Sequence, residues 1–421
     1  MAVAGLGRSG LACANLLYDL GADVWVTEQK DSADTRLNAA KLKSQNIKVE
    51  LGRHTQAFIK DKGLLVISPG LTDTSLPLRW ALASGVAVIS EIELAAFLCP
   101  AAIIATTGSN GKTTVTTLIA RILEKAGKKV FLCGNIGNPF AGEVERIQEG
   151  DFVSLEASSF QLERIKAFKP KVAVMLNIAP NHLDRYAAMQ EYIRAKKRLF
   201  MNQDASDFLV LNADDPLLKG LAEETKAKVV YFSRGPDLNP NQAALSAVGS
   251  VLGIPQELIR QALGEFNGIE HRMEFVARIN DIKFINDSKA TTVESALWAL
   301  ENIRGPVVLI AGGRHKGIDY SRLRQAGRDK IKEIILIGEA GKIIESALEG
   351  FFNLAEARTL EEAVAKAFKK ACAGECVLLS PMCSSFDMFS SYEERGECFK
   401  KAVNQLAKKL NPNVKVQIDT Y

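Results

Sequence analysis

Short runs of Val, Ile, Leu and Phe that stay apolar at consecutive positions constrain this chain more than any other feature. They fall at Val24 to Val26, Leu64 to Ile67, Ile103 to Thr106, Val172 to Asn177 and Phe208 to Leu211. They resume at Phe284 to Asn286, Val307 to Ala311, Glu333 to Ile337 and Cys376 to Leu379. A strand that is apolar on both faces must be covered on both, which parallel sheets sandwiched by helices achieve. Longer segments of helical period lie between the runs, so the expected class is α/β. A length of 421 residues corresponds to about three domains. Breaks are expected where Cys99-Pro100 interrupts a helical segment and where Asn267-Gly268 closes a helix-rich stretch. The domains expected are therefore 1–98, 99–268 and 269–421.

Composition excludes several classes. Hydrophobic residues make up 47% and charged residues 24%, enough for each domain to bury a core, so extensive disorder is ruled out. Lys and Arg total 53 against 49 Asp and Glu, a balance of +4. Over this length it gives no pull toward nucleic acid or an anionic membrane. The longest apolar run, Leu94 to Ala105, has 12 residues and is broken by Pro100, whereas a spanning helix needs about 20. Met1 opens directly into Ala-Val-Ala-Gly-Leu-Gly, from which no secretory signal segment is expected. Seven scattered cysteines suit reduced thiols and a cytoplasmic location. Cys372 and Cys376 lack the spacing of a zinc knuckle, so no structural metal is expected.

The most specific local motif is Ile103-Ile104-Ala105-Thr106-Thr107-Gly108-Ser109-Asn110-Gly111-Lys112-Thr113-Thr114. An apolar strand runs into a glycine-rich turn, and Gly-Lys-Thr opens a helical pattern. Glycines let backbone N–H groups converge on phosphate oxygens, and the helix start adds positive potential. Gly108, Ser109, Asn110, Gly111, Lys112, Thr113 and Thr114 are therefore candidate ligands of a nucleoside triphosphate. Lys112 would reach the outer phosphates and the Thr113 hydroxyl would ligate Mg²⁺. Thr106 stands where the strict pattern has glycine, and the bland alternative is a chance turn before a helix.

Polar clusters also follow apolar strands, where an open α/β sheet gathers its ligands. Glu156 ends one such run in Phe152-Val-Ser-Leu-Glu156, and His182 and Asp184 follow Met175-Leu-Asn. Taken singly, each is equally a helix cap or a surface charge. Beside a phosphate loop they become candidates for Mg²⁺, which prefers oxygen ligands. The chain also opens with Gly5-Leu-Gly7-Arg-Ser-Gly10, and Glu28 lies 18 positions after the last glycine. By itself that fingerprint predicts NAD, although any pyrophosphate suits such a helix start.

Together these motifs resemble the Mur ligases of peptidoglycan synthesis. The resemblance is carried by Thr107 to Thr113, Glu156-Ala-Ser-Ser-Phe-Gln-Leu-Glu163, Asn181-His182-Leu-Asp184-Arg-Tyr186 and Tyr192-Ile-Arg-Ala-Lys196. It continues through His271-Arg272-Met-Glu274, Asn286-Asp287-Ser-Lys289-Ala-Thr291 and Gly312-Gly-Arg-His-Lys316-Gly317, so it covers all three domains. Ser380-Pro-Met-Cys-Ser-Ser385-Phe386-Asp is most similar to the members that join D-glutamate to UDP-N-acetylmuramoyl-L-alanine. The resemblance implies a Rossmann-like N-terminal domain, a central P-loop ATPase-like parallel sheet and a Rossmann-like C-terminal domain. It also implies ATP-driven amide formation. Carboxylate oxygen is a poor leaving group, so the acid is first phosphorylated; the amine of D-glutamate then attacks the acyl phosphate, and ADP and phosphate are released.

The roles that follow are implied by the resemblance. Lys112, His182 and Lys196 form the catalytic set. Thr113 and Glu156 hold a first Mg²⁺ and His182 a second. Lys196 matches a lysine carbamylated in this family, and the carbamate, an oxygen anion, helps position the metal. Without that motif, Lys196-Lys197-Arg198 reads as a solvated helix face. Gln242, Arg272, Asp287 and Lys289 contact the nucleotide; for the last three the bland alternative is an inter-domain salt bridge. Arg8, Ser9, Glu28 and Asn135 face the UDP portion of the sugar substrate, and Ser158 lies near the same substrate. Thr291, Lys316, Ser385 and Phe386 hold D-glutamate, although Ser380 to Phe386 reads equally as a strand-to-helix cap. The partners expected are small substrates for a monomer, with no nucleic acid and no membrane insertion.

The sequence departs from the family pattern in places. Asn181 stands where these ligases usually carry aspartate, removing a negative charge. Leu238 replaces the usual histidine beside Asn239, and the link from Ser233 to Asn239 is much shorter than usual, which bears on the adenine side where Gln242 lies. Three alternatives stay open at this point: a related amide ligase with another acceptor or amino acid, an NAD-dependent oxidoreductase, and a non-catalytic nucleotide-binding partner.

Overall fold

A computed structural model gives the fold, with residues 1–179, 185–186, 188–235, 238–266, 268–315 and 317–410 described. The backbone falls into two compact units, Met1–Phe266 and Asn267–Tyr421. The first unit carries two sheets and the second carries one.

The first sheet holds β1 (Ala2–Ala4), β2 (Trp25–Glu28), β3 (Lys48–Leu51), β4 (Leu64–Ile67) and β5 (Ala87–Ser90), all parallel, in the order β3-β2-β1-β4-β5. Ala4 pairs in register with Thr27 and Ile67, so Gly5, Glu28 and Ser68 share one edge. The second sheet holds β6 (Ala102–Thr107), β7 (Val130–Gly134), β8 (Phe152–Glu156), β9 (Val172–Met175), β10 (Phe208–Asn212) and β11 (Lys228–Phe232). It is parallel throughout, in the order β11-β10-β9-β6-β8-β7. Register places Thr106 beside Glu156, Glu156 beside Gly134, and Thr107 beside Met175. The residues expected to bind ligands thus collect at the carboxyl ends of adjoining strands, as open α/β sheets require.

The third sheet contains β12 (Glu274–Ile279), β13 (Ile282–Asn286), β14 (Val307–Gly312), β15 (Ile331–Ile337), β16 (Asn353–Glu356) and β17 (Cys376–Leu379), ordered β12-β13-β17-β14-β15-β16. It is parallel except for the β12–β13 hairpin. Asn280 and Asp281 turn that hairpin with φ of 49° and 61°, the two-residue geometry that matches strand twist. All the apolar runs named above lie on strands or extend from them.

Apolar packing explains this layering. The first two sheets share one continuous cluster that includes Val3, Leu6, Val26, Ile103, Phe140 and Leu155. The helix Lys112–Lys125 buries Val115, Leu118, Ile119 and Ile122 against Ala244, Leu245 and Val248 of the helix Pro240–Val251. Each large side chain so buried contributes roughly 1.5–3 kcal/mol. The run Leu94 to Ala105 is divided as expected, with helix Glu91–Leu98 ending before Pro100 and β6 beginning at Ala102. Among the described residues no helix is long and apolar enough to cross a membrane.

Candidate active site

The phosphate loop leaves β6 after Thr107 and enters the helix Lys112–Lys125 through Gly111, whose φ of 80° is left-handed. That φ is what calls for glycine, because the atom nearest to a Cβ there, the Asn241 side-chain oxygen at 2.5 Å, ends a flexible side chain that can turn aside. Two side chains outside the loop hold its shape. Asn177 accepts from the Asn110 N–H at 2.8 Å and donates to the Asn110 carbonyl at 3.1 Å. The Ser109 hydroxyl donates to Ala179 O at 2.9 Å and lies 3.0 Å from the Tyr192 hydroxyl. Lys112 Nζ curls over the loop, donating to Gly108 O at 2.8 Å and Ser109 O at 2.9 Å. Thr113 and Thr114 follow on the first helical turn, half-buried. Thr106, at the place of the missing glycine, is fully buried, and its hydroxyl finds no partner among the described residues.

Glu156 and Lys196 converge on this loop. Glu156 is buried at the end of β8; its Oε1 accepts from Asn135 Nδ2 at 2.7 Å, while Oε2 has no partner among the described residues. A buried carboxylate oxygen left unpaired is costly, and a bound cation relieves that cost, so the donor set fits Mg²⁺. Lys196 sits on the helix Met189–Lys197, 1% exposed, and donates to Gly108 O at 2.9 Å and Thr107 Oγ1 at 3.3 Å. Burial first, and then the charge of Lys112, push its pKa well below the ordinary lysine value, against a smaller pull from Glu156. The solvated-face reading therefore fails for Lys196. His182 lies outside the described residues.

The sugar-side candidates gather at one edge of the first unit. Arg8 Nη2 donates to Gly137 O, which brings the first helix of the chain against the Gly134-Asn135-Ile-Gly137 turn. Ser9 is half-buried beside Arg8. Glu28 Oε2 accepts from Leu6 N at 2.7 Å and Oε1 from Lys30 N at 2.9 Å, so its carboxylate braces the glycine turn. Ser158 caps the short helix Ser159–Leu162 in a reciprocal bond set with Gln161. Gln242 does the same with Asn239 at the start of Pro240–Val251, its Oε1 accepting from Asn239 N at 2.9 Å. Leu238 packs against the apolar cluster beneath that helix.

In the second unit, Asp287 follows β13 and is 2% exposed. Its carboxylate accepts from Ser380 Oγ at 3.0 Å and Met273 N at 3.3 Å. Burial pushes its pKa up to about 7, against the opposing charge of Arg272. The Arg272 guanidinium lies 5.7 Å from the Trp298 ring centroid and Lys289 Nζ 5.6 Å from that of Tyr392. Lys289 N donates to His271 O at 3.0 Å, so the 271–273 backbone ties the three candidate nucleotide residues together. Thr291 precedes Thr292, which caps the helix Val293–Asn302. Ser385 is buried, and its carbonyl accepts from Met388 N and Phe389 N, whereas Phe386 is exposed. Lys316 lies outside the described residues.

Residues 1–90 match the Mur ligase MurD-like N-terminal domain, 106–256 the Mur ligase middle domain and 271–383 the Mur ligase glutamate ligase domain. The chain belongs to the Mur ligase family. The UDP-N-acetylmuramoylalanine–D-glutamate ligase of Geotalea daltonii is 42% identical over 442 aligned positions, covering 96% of this chain and 97% of that protein. The ligase of the same name from Koribacter versatilis is 39% identical, with 96% and 97% covered. An alignment of 442 positions against 421 residues means that the first relative carries segments this chain lacks. Among solved Mur ligase structures, the UDP-N-acetylmuramate-alanine ligase of Thermotoga maritima shares the fold with a TM-score of 0.60 at 18% identity, covering 96% of this chain and 99% of that one. The MurF ligase of Thermotoga maritima, in complex with ADP, gives 0.59 at 15% identity, with 84% and 97% covered. Family membership sets aside the oxidoreductase that the Gly5 fingerprint alone would predict. The sequence assigns no role to Asn177 or Asn241, and Tyr192 enters only as the first residue of the Tyr192-Ile-Arg-Ala-Lys196 motif. The signal for Asn177 was a polar residue closing an apolar run.

Proposed function

We propose that this protein is an ATP-dependent ligase that joins D-glutamate to UDP-N-acetylmuramoyl-L-alanine, releasing ADP and phosphate. The observation that carries the reading is the meeting of Lys112, the unpaired Glu156 oxygen and the desolvated Lys196 at one strand edge. Likeness to the D-glutamate ligases over nearly the whole chain supports the choice of substrates.

Lys112 trades its loop carbonyls for γ-phosphate oxygens and, with the loop amides, steadies the charge that develops as the phosphoryl group moves to the substrate carboxylate. Thr113, Glu156 and His182 are the proposed Mg²⁺ ligands at two sites, and the cations supply neutralisation among several anions. A carbamate on Lys196 contributes a fixed oxygen anion beside the loop. Arg8, Ser9, Glu28, Asn135 and Ser158 serve the sugar nucleotide. Arg272, Asp287, Lys289 and Gln242 serve ATP, with Asp287 on ribose hydroxyls. Thr291, Lys316, Ser385 and Phe386 serve D-glutamate. The activated acid is then attacked by the D-glutamate amine, and the chain's part is to position the reactants.

The test is phosphate release from ATP with the sugar nucleotide and a panel of amino acids. D-Glutamate should support turnover, and Lys112→Ala should lower it at least about 10³-fold. Preference for L-alanine or a diamino acid would overturn the substrate assignment.

A further inference from the structure

Arg185 follows the polar segment after β9, yet it reaches to the first sheet. Nη1 donates to Pro69 O at 2.9 Å, and Nη2 donates to Leu71 O and to Glu163 Oε2, each at 2.9 Å. The guanidinium carbon lies 4.1 Å from the Phe160 ring centroid. Tyr186 donates its hydroxyl proton to the other Glu163 oxygen, Oε1, at 2.5 Å. The Arg185 and Glu163 side chains are only 13% and 19% exposed. Such a planar fork, with donors spent on two carbonyls and a carboxylate, fixes geometry more tightly than a point charge can.

Besides Arg185, the segment is held by an Arg164–Asp73 ion pair and by Leu71, which packs against the cluster containing Ile67 and Leu78. Gly70, Thr72, Asp73 and Thr74 are exposed, and a cleft of about 690 Å³ lies under Thr72 to Thr74, walled by Glu163, Arg164 and Arg185. The same segment begins at Ser68, which donates from its N–H to Ala4 O at 3.0 Å and whose side chain sits against Gly5 in the glycine turn. Next to Arg185 in the chain, Tyr186 stands 5.4 Å from Tyr192, ring to ring, and Tyr192 meets Ser109 of the phosphate loop. An unbroken set of contacts therefore runs from the phosphate loop through Arg185 to the glycine turn.

We infer that Arg185, braced by Glu163, is a positioning residue for the sugar-nucleotide substrate, setting the span between the glycine turn and the phosphate loop. The inference rests on the proposed function, which places the diphosphate at the first site and the reacting acid at the second. All donors of Arg185 named above go to protein groups, so it acts through the Ser68 to Leu71 segment and not by touching substrate.

The experiment is calorimetric titration of UDP-N-acetylmuramoyl-L-alanine, and separately of ADP, into the wild type, Arg185→Lys, Glu163→Gln and the double variant, with no turnover involved. Sugar-nucleotide affinity should fall about 10- to 100-fold in Arg185→Lys, with ADP affinity within about twofold of wild type. The double variant should lose little more than Arg185→Lys alone, because both changes open the same latch. Wild type that binds no sugar nucleotide would overturn the functional reading. Wild-type binding with unchanged affinity in both variants, or equal losses for ADP and sugar nucleotide, would overturn the latch. If Arg185→Lys does not fold, Glu163→Gln carries the same comparison.

Discussion

Replacing Lys196 by methionine should separate activity from stability. The amine is 1% exposed, 2.9 Å from Gly108 O and 4.6 Å from the Tyr192 ring centroid. Its lowered pKa leaves more neutral amine near neutral pH, and that form attacks CO₂: an N–C bond forms, nitrogen loses a proton, and an anionic carbamate results. Losing a preorganised charge of this kind costs about 10²- to 10³-fold in rate, or roughly 3–4 kcal/mol. Folding should not suffer. Gly108 O keeps Lys112 as a partner at 2.8 Å, and the Thr107 hydroxyl still donates to Ala157 O at 2.8 Å. Methionine fills similar volume without a desolvated amine, so stability should hold or rise by about 1 kcal/mol. Phosphate release with and without added acetate, thermal melts, and ¹³C NMR under ¹³CO₂ make the assay. In Lys196→Ala, whose short side chain leaves room that methionine does not, acetate should restore part of the rate. Because the pKa is lowered, carbamylation should strengthen as pH rises through that value. A fully active Lys196→Met enzyme without acetate, or a fully active wild type with no carbamate signal, would refute the reasoning.

Glu91 is 1% exposed, and burial pushes its pKa up to about 7, although Oε1 accepts from Ala141 N at 2.7 Å. The native state therefore keeps a proton that the unfolded chain releases above about 4.5, and this group costs roughly 3 kcal/mol as pH rises from about 4.5 to beyond 7. Glu91→Gln should flatten that part of the stability profile in urea melts at pH 5 and pH 8, and identical slopes would count against it. Tyr192→Phe keeps the ring beside Lys196 but removes the hydroxyl at Ser109, so it should cost about 1 kcal/mol of stability. An unchanged denaturation midpoint would contradict that role.

The central strands could be read from sequence because their burial is two-sided and their apolar runs stop where the ligand turns begin. Glu156 was legible as a candidate for that reason, standing at a strand's carboxyl end, whereas Asp287, just beyond another strand, was reached only through the resemblance. Edge strands carry no such mark: Lys48-Val-Glu-Leu51 and Asn353-Leu-Ala-Glu356 are half exposed and mix charge with apolar residues. Buried charge is also invisible locally. Arg395 lies in a run of charged helical residues, Tyr392-Glu-Glu-Arg395, yet it is wholly buried. Its partners are Ser288 Oγ at 3.0 Å and the carbonyls of Ser288 and Cys383 at 2.9 and 3.1 Å, contacts that only the folded sheet brings together. Gln242 reads two ways, since asparagine and glutamine at that spacing serve a helix cap as readily as a nucleotide, and the cap is made with Asn239.

The Gly5 fingerprint shows why a motif specifies a shape before it specifies a ligand. A Cβ at Gly10 would fall 1.9 Å from Gly5 O, so close helix–strand packing demands glycine whatever binds there. In dinucleotide enzymes the acid at the end of the second strand serves ribose hydroxyls. Here Glu28 gives one oxygen to the turn at Leu6 N and the other to Lys30 N in the loop that follows its own strand. What distinguishes this chain is the neighbour across the turn: Arg8 reaches Gly137 O, and Asn135 of the same segment holds Glu156 at 2.7 Å. The fingerprint thus opens onto the second sheet's acidic centre, and a substrate lying along that line would have its diphosphate on one sheet and its reacting acid on the other.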